Sequence, residues 1–462
     1  MFSSQEYSQR RQALKKAVAS GIILLPANNE SSINYKDNWY PYRQDSTFLY
    51  YVGIQMPQIF VALDADSGEE ILFGNEVTPE EMVWIGAADP LQVTAAKSAI
   101  AIVKPLKELP AYLQQAKGKG QTIHYLPPYR ADTLITLGDL LNENISTIKA
   151  EASHVLIMAV AAQRSIKSDL ELEELHKAVN TTAAMHTYAI QHGRAGVTEK
   201  EIAGALQAIA IKGGGNIAFP IILTTNGQYL HNHATENRLE KGDLVLCDAG
   251  AENASGYAGD MTRTFPVSER FTDLQREVYN IVLNAHETAI SALQPGTLFK
   301  DIHLLACTQL ASGLKDLGIM KGDVHESVAN GAHTLFFQCG LGHMMGMDVH
   351  DMENLGEANV GYTPSLQKST AFGLKSLRLG KALEERYVLT VEPGLYFNPF
   401  LIEEWKSKKQ HLDFIDYKEA EKFTNFGGIR VEEDFVITAT GAQLLGDPLA
   451  KTASAIEELK NA

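Results

Sequence analysis

Short apolar and β-branched runs, separated by turn residues, mark the first part of the chain. They predict strands over residues 22–26, 48–52, 59–63 and 70–73. The stretch 64–68, Asp-Ala-Asp-Ser-Gly, is typical of a turn between the last two of them. We therefore expect a separate α/β domain over residues 1–160.

Longer amphipathic helices begin near residue 164. Three of them are predicted to start at capping boxes, in which two side chains satisfy free backbone N–H groups of the first turn. These boxes pair Ser168 with Glu171, Thr198 with Glu201, and Thr272 with Gln275. Strand-like runs are interspersed at 220–224, 243–248, 387–391 and 429–438. Such a mixture predicts an α+β catalytic domain over residues 161–462.

Composition and charge restrict the partners of this chain of 462 residues. Its 40 Lys and Arg face 56 Asp and Glu, a formal net charge of −16. A basic face for nucleic acid or for an anionic membrane is therefore not expected. The 3 cysteines are unpatterned and no apolar run is long enough to span a bilayer, which together predict a cytoplasmic protein.

Five residues of metal-ligand type end strand-like runs or lie in glycine-rich segments. They are Asp248, Asp260, His343, Glu392 and Glu432. Two strands joined by a glycine-containing loop could place Asp248 and Asp260 side by side. Each residue taken alone has a simpler interpretation, as a turn aspartate, a core histidine or a solvated strand edge. Alternation along the last predicted strand puts Arg430, Glu432 and Asp434 on one face.

Taken together, these residues offer four carboxylates and one imidazole. Four negative charges balance two divalent cations, and oxygen-rich ligation favours Mn²⁺-like metals over a structural zinc. Two ions roughly 3.5–4 Å apart can share a hydroxide that attacks a carbonyl group. The set therefore predicts two divalent ions and hydrolytic chemistry.

The order of the motifs resembles metallopeptidases of the pita-bread fold that act on Xaa-Pro bonds, namely aminopeptidase P and prolidase (Xaa-Pro dipeptidase). The matching C-terminal stretches are 248–250, 259–265, 342–343, 348–351, 391–394 and 428–432. In the N-terminal domain, 40–46 and the segment around Trp84 resemble aminopeptidase P. The resemblance implies a pita-bread (creatinase/aminopeptidase-like) catalytic domain of the α+β class, preceded by a smaller α/β domain.

The resemblance also implies a metal assignment, with Mn²⁺ first and Co²⁺ or Zn²⁺ as alternatives. Family equivalents of Asp260 and Glu432 bridge the two ions, the equivalent of Asp248 serves one ion, and those of His343 and Glu392 serve the other. Glu392 is further expected to assist proton transfer to the leaving nitrogen.

Two histidines receive roles from the resemblance. His350 matches a histidine that contacts the substrate and the reaction intermediate. A second such histidine falls on His231, with His233 as the alternative. Arg430 is expected to orient one of the carboxylates. Two departures concern fine geometry: a loop between the aspartates that is one residue longer, and Cys339 where aminopeptidase P has a histidine.

Substrate length depends on Arg378, which resembles a prolidase arginine fourteen residues before the metal-binding glutamate. A guanidinium fork matches the free carboxylate of a dipeptide, so we predict Xaa-Pro dipeptides as substrates. An exposed loop arginine is the plainer interpretation of this residue. The alternative activity is that of aminopeptidase P on longer peptides, which the motif at 40–46 favours.

Other interpretations remain open. A non-catalytic binding homologue of the same fold would have lost the ligands, and creatine- or methionine-specific members differ in metal set or in domain size. The resemblance further implies a homodimer or homotetramer. Trp84 could then cover a neighbour's site, although burial in the core is the commoner fate of a tryptophan.

Overall fold

The computed structural model describes residues 2–462, which separate into two compact units. The first runs up to Arg164 and also includes Met352–Val360, and the second comprises Ser165–Asp351 and Gly361–Ala462. The inclusion of Met352–Val360 was not anticipated, and the boundary at residue 160 stays a prediction. Within residues 2–462, no helix combines the length and the apolar character needed to cross a lipid bilayer.

A five-stranded mixed sheet forms the centre of the first unit. Its strands are β1 (Ile22–Pro26), β2 (Phe60–Asp64), β3 (Glu70–Gly74), β4 (Ile102–Pro105) and β5 (Ile123–His124). They lie in the order β4-β3-β2-β1-β5. Strand β1 runs antiparallel to β2 and parallel to β5. The apolar side chains of β1, β2 and β3 are buried, which fixes the register of the sheet.

Within residues 2–165, eight α-helices accompany this sheet. They are α1 (Ser4–Val18), α2 (Ser46–Val52), α3 (Pro79–Ile85), α4 (Leu91–Ala96), α5 (Leu109–Gly118), α6 (Ala131–Leu141), α7 (Ile145–Ala150) and α8 (His154–Ser165). The helix α3 buries none of its residues, and its Trp84 is 83% exposed.

The predicted strand at 48–52 is wrong, because these residues form helix α2. The Asp45 side chain caps this helix by accepting a hydrogen bond from the Phe48 N–H at 2.7 Å. Gly53 ends it in the left-handed conformation. Every residue of α2 is buried, so the sequence shows neither an amphipathic period nor the polar face by which a helix is usually identified.

The second unit carries the remaining long helices. In chain order they are α9 (Asp169–His192), α10 (Glu199–Lys212), α11 (Asp273–Ser291), α12 (Phe299–Asp316), α13 (Val324–Ala329), α15 (Pro399–Ser407), α16 (Tyr417–Ala420) and α17 (Ala453–Asn461). The short helix α14 (Glu357–Gly361) lies, except for its last residue, in the segment Met352–Val360 of the first unit. The three predicted capping boxes are all present, at the starts of α9, α10 and α11.

Antiparallel strands of the second unit form several small sheets. The strands are β6 (Asn216–Ile217), β7 (Ile222–Thr224), β8 (Leu244–Ala249), β9 (Ala251–Glu252), β10 (Met261–Pro266), β11 (Val388–Val391), β12 (Gly394–Tyr396), β13 (Gly428–Arg430), β14 (Glu433–Thr438) and β15 (Gly441–Leu444). The sheets are β10-β8-β7, β11-β14-β15, β12-β13 and β6-β9.

The predicted strand at 429–438 is divided in the structure into β13 and β14. Each half pairs with a different partner, β13 with β12 and β14 with β11. At the break, Glu432 forms an isolated bridge with Thr262 of β10. The break between β13 and β14 therefore brings Glu432 next to the sheet that contains β8 and β10.

Candidate metal centre

The pairing of β8 with β10 positions the two aspartates. Asp248 lies directly opposite Thr262 in the antiparallel register. Asp260 precedes β10 and lies two residues before Thr262. Because side chains two residues apart along a strand share a face, Asp260 and Thr262 point to the same face of the sheet as Asp248. Both carboxylates are buried. The expected side-by-side arrangement of Asp248 and Asp260 is therefore present.

A loop laid against β11 positions the histidine and the first glutamate. His343 N–H donates to Thr390 Oγ1 at 3.2 Å, and the Thr390 N–H donates to the His343 carbonyl at 3.1 Å. A Cβ at Gly342 would overlap the Thr390 carbonyl, so this close approach requires glycine. Glu392 follows β11 directly, and its N–H donates to the Leu341 carbonyl at 2.8 Å.

Ligand-type atoms of Asp260, His343 and Glu432 converge, and Glu392 lies close to them. His343 Nε2 lies 3.4 Å from Asp260 Oδ2 and 3.7 Å from Glu392 Oε1. One ligand atom each from Asp260, His343 and Glu432 lies within 4.8 Å of the other two. His343 Nδ1 donates to the Met344 carbonyl at 3.0 Å, since a carbonyl can only accept. In the neutral imidazole this leaves the lone pair of Nε2 directed at the carboxylates.

The donor set fits a divalent cation. Asp260 Oδ1 is buried and has no hydrogen-bond partner within residues 2–462. A buried carboxylate oxygen needs a donor or a cation, and the neighbouring groups are mainly carboxylates that cannot donate when ionised. Carboxylate oxygens with one imidazole nitrogen are suitable ligands for Mn²⁺, Co²⁺ or Zn²⁺.

Three carboxylates of the site, those of Asp248, Glu392 and Glu432, have raised pKa values. Burial raises the pKa of Asp248 to about 7, with Asp260 and Glu392 adding to the shift and Arg430 opposing it. Burial together with neighbouring carboxylates also raises the pKa of Glu392 and of Glu432. The crowding of negative charge thus disfavours the fully ionised cluster unless a cation is present.

Arg430 and Thr262 hold two of the predicted ligands. The Arg430 guanidinium donates to Asp248 Oδ2, to Thr262 Oγ1 at 2.9 Å and to the Tyr396 hydroxyl at 3.0 Å. Thr262 Oγ1 in turn donates to Glu432 Oε2 at 2.7 Å. Asp434 Oδ2 accepts from the Asp260 N–H at 3.1 Å. Arg430, Glu432 and Asp434 therefore all reach the aspartate pair, as their alternation along the sequence indicates.

A cavity of about 390 Å³ in the second unit collects every predicted site residue. Its lining includes Asp248, Asp260, His343, Glu392, Glu432, His231, His350, Arg378 and Arg430. His233 also lines it, so the choice between His231 and His233 stays open. The rings of His343 and His350 lie 4.4 Å apart, edge to face. Burial, with His343 and Arg378 nearby, lowers the pKa of His350 to about 2, so this ring is neutral.

Two residues of the site were missed from the sequence. Thr262 links Arg430 to Glu432, and Tyr396 accepts from Arg430. The signal for Thr262 was its place two residues after Asp260 in a strand, which puts both side chains on one face. Nothing local marks Tyr396, because its contact depends on the pairing of β12 with β13.

Comparison with known proteins assigns this candidate metal centre to the metallopeptidase class of hydrolases. The chain belongs to metallopeptidase family M24, which matches residues 173–439. The aminopeptidase P N-terminal domain matches residues 7–124. The predicted family and the predicted fold are confirmed, with a pita-bread catalytic domain following a smaller N-terminal domain.

Relatives and solved structures agree on this architecture. The chain is 32% identical to an Xaa-Pro aminopeptidase of Escherichia coli, over 99% of this chain and 98% of that protein. It is 32% identical to a probable Xaa-Pro aminopeptidase of Phaeosphaeria nodorum, over 92% of this chain and 89% of that protein. A zinc-substituted aminopeptidase P of E. coli in complex with product matches with a TM-score of 0.82 and 31% identity, over 100% of this chain and 99% of that chain. The structure of Pseudomonas aeruginosa aminopeptidase PepP matches with a TM-score of 0.81 and 28% identity, over 100% of this chain and 98% of that chain.

Proposed function

We propose that the chain is an Xaa-Pro aminopeptidase, which hydrolyses the bond between an N-terminal residue and a following proline. The observation that carries this proposal is the convergence of five ligand-type residues in one cavity, in a chain similar over its whole length to Xaa-Pro aminopeptidases. The names of these relatives favour aminopeptidase activity over the dipeptidase activity that we predicted from Arg378.

The proposed ligands are the two buried aspartates, the imidazole and the two glutamates. They are Asp248, Asp260, His343, Glu392 and Glu432. We propose that these residues hold two divalent ions, with Mn²⁺ as the first candidate. When bound, such ions supply a Lewis acid for the scissile carbonyl and lower the pKa of attacking water.

The chain's own groups then act around the scissile bond. Glu392 has a side chain that is 19% exposed, so it can reach the substrate and pass a proton to the leaving nitrogen. The neutral His350, together with His231 or His233, can form hydrogen bonds to the reaction intermediate. Because proline has no N–H, the site needs room for a ring at that position instead of an acceptor.

Dipeptide hydrolysis is the second candidate activity. Its support is the position of Arg378 in the lining of the same cavity, where a guanidinium could bind a free carboxylate directly after proline. The comparisons favour longer substrates, so a preference for dipeptides is kept as the alternative.

The experiment is hydrolysis of Xaa-Pro-Yaa-Zaa peptides by metal-free protein to which Mn²⁺, Co²⁺ or Zn²⁺ is returned. We expect activity with at least one metal, and its loss in Asp260→Ala and Glu392→Ala. The control is Asp316→Ala, since Asp316 is exposed at the end of α12 and outside the cavity lining. Near-normal turnover in either active-site variant would overturn the assignment. Metal binding without hydrolysis would favour the non-catalytic homologue.

We also propose a homodimer or homotetramer and a cytoplasmic location. The exposure of Trp84 on α3 supports a further contact of that helix in an assembly. The three free cysteines support a reducing compartment. Light scattering of the wild type and of Trp84→Ala tests the assembly, because loss of that contact should reduce the molar mass.

A further inference from the structure

The segment 225–237, between β7 and β8, carries His231 and His233, and both of these line the cavity. We call this segment the histidine loop. It contains no helix and takes part in no named strand, so its shape depends on individual hydrogen bonds. His233 contributes one of these, from Nδ1 to the Ile221 carbonyl at 3.3 Å.

One buried carboxylate holds both ends of the histidine loop. Glu199, the first residue of α10, is only 1% exposed. Its Oε1 accepts from the Thr225 N–H at 3.0 Å and from Asn237 Nδ2 at 3.2 Å. Its Oε2 accepts from the Thr235 N–H at 2.9 Å and from Thr235 Oγ1 at 2.8 Å. Thr225, Thr235 and Asn237 are thus hydrogen-bonded to a single side chain.

The backbone of α10 extends the same attachment. The Glu199 N–H donates to the Asn237 carbonyl at 3.0 Å, and the Lys200 N–H donates to the Thr235 carbonyl at 3.1 Å. An ionised carboxylate that accepts four hydrogen bonds is stabilised in its buried position, and charge-assisted bonds are stronger than neutral ones. Closing the loop at its base limits the conformations open to the two histidines at its centre.

We infer that Glu199 is a positioning residue, which holds the histidine loop so that His231 and His233 face the substrate. The inference rests on the proposed function, because it assigns these histidines to substrate and intermediate. Glu199 touches none of the five proposed metal ligands, so its effect is confined to the substrate side of the cavity.

Glu199→Gln is the sharpest variant because it keeps the size of the side chain. Whichever way the new amide is turned, its NH₂ group faces a backbone N–H, that of Thr225 or that of Thr235, which needs an acceptor. Glu201→Ala is the matched control in the same helix. Glu201 accepts from the Thr198 N–H at 2.7 Å as part of the capping box, and it does not contact the histidine loop.

The first readout is amide hydrogen exchange, which does not depend on activity. In Glu199→Gln we expect exchange in peptides covering 225–237 to accelerate about 10-fold or more, with exchange around 341–351 and the metal content unchanged. In Glu201→Ala the acceleration should stay in the first turn of α10. Unchanged exchange at 225–237 in Glu199→Gln would overturn the inference.

The second readout is a double-mutant cycle on kcat/KM with an Xaa-Pro-Yaa-Zaa peptide. We expect Glu199→Gln to lower kcat/KM about 10- to 100-fold in the wild type. In the background of His231→Ala with His233→Ala, the same change should cost less than about 2-fold, since the groups it positions are gone. An equal loss in both backgrounds would make Glu199 merely structural. A wild type without activity would instead refute the proposed function, while the exchange experiment still tests Glu199.

Discussion

Lys167 and Asp351 form a buried ion pair, in which Lys167 Nζ lies 2.8 Å from Asp351 Oδ2 and the side chains are 1% and 0% exposed. The Asp351 N–H donates to the Met344 carbonyl at 2.9 Å. The same carbonyl accepts from His343 Nδ1 at 3.0 Å. The ion pair therefore ties the residue before the α9 cap to the loop that carries His343 and His350.

Replacing Lys167 by Met should strongly destabilise the second unit. The Asp351 carboxylate would lose its cation in a buried position, and breaking such a pair costs about 3–5 kcal/mol. Urea unfolding of the metal-free protein measures this loss. The control is Lys200→Met, because the Lys200–Glu236 pair is exposed on both sides and should be worth no more than about 1 kcal/mol.

A second variant separates charge from packing in this ion pair. Lys167→Met combined with Asp351→Asn should recover part of the loss, because a neutral amide no longer needs a cation. If the single and the double variant unfold at the same urea concentration, the ion pair is not the source of the effect.

In the metal-free protein, the site carboxylates should stabilise the fold less as the pH rises. The pKa of Asp248 is raised to about 7, and those of Glu392 and Glu432 are also raised, by burial and by neighbouring carboxylates. At these carboxylates the folded state binds more protons than the unfolded state, so their contribution to the free energy of unfolding falls as pH increases from about 4 to about 7. Metal binding must displace these protons, so metal affinity should rise over the same range. Buried neutral histidines such as His350 contribute in the opposite direction, so the effect of the carboxylates is measured as a difference from a variant that lacks one of them.

Thermal unfolding at pH 5, 6 and 7, with and without Mn²⁺, measures this linkage. We expect the stabilisation by Mn²⁺ to be larger at pH 7 than at pH 5, and to be absent in Glu432→Gln. Without metal, the stability of the variant relative to the wild type should increase from pH 5 to pH 7, since one of the carboxylates with a raised pKa is gone. A metal effect that is independent of pH between 5 and 7 would contradict the link to these carboxylates.

The candidate ligands could be selected from the sequence because several of them leave a local mark. Asp248 and Glu392 interrupt or follow apolar runs, where a charge is costly unless it is paired. Period-two alternation was enough to place Arg430, Glu432 and Asp434 on one face, although the strand itself breaks at Glu432. The resemblance then supplied roles that spacing alone leaves open.

The supporting residues could not be found in the same way. Glu199 is hydrogen-bonded to residues at the two ends of the histidine loop, and Lys167 pairs with Asp351, which is 184 positions away in the sequence. Neither relationship has a period or a motif, since it depends on how helices α9 and α10 pack in three dimensions. The helix α2 was missed for a related reason, because burial on all sides removes the amphipathic pattern.

Cys339 lines the cavity, yet it should react slowly with alkylating reagents. Burial raises the pKa of this thiol to about 12, with Glu392 adding to the shift. Only the thiolate reacts, so at pH 8 the metal-free protein should be alkylated roughly 10³-fold more slowly than an ordinary cysteine. Mass spectrometry of iodoacetamide-treated protein, native and urea-unfolded, gives the ratio. The native rate should keep rising with pH beyond 10, and a plateau near pH 9 would contradict the raised pKa.

Arg378→Ala decides between the two substrate lengths. If the guanidinium binds a free carboxylate directly after proline, its loss removes a charge-assisted contact worth about 1.5–3 kcal/mol, or about 10- to 100-fold in KM. We expect KM for an Xaa-Pro dipeptide to rise by that factor, and KM for Xaa-Pro-Yaa-Zaa to change less than about 3-fold, because there the same position carries a neutral peptide group. Lys375→Ala is the control, since this cation lies three positions earlier and outside the cavity lining. Equal increases of KM for both substrates would show that Arg378 does not recognise the free carboxylate of the dipeptide. Arg378→Lys should retain only part of the difference in KM between the two substrates, because a lysine lacks the planar guanidinium fork.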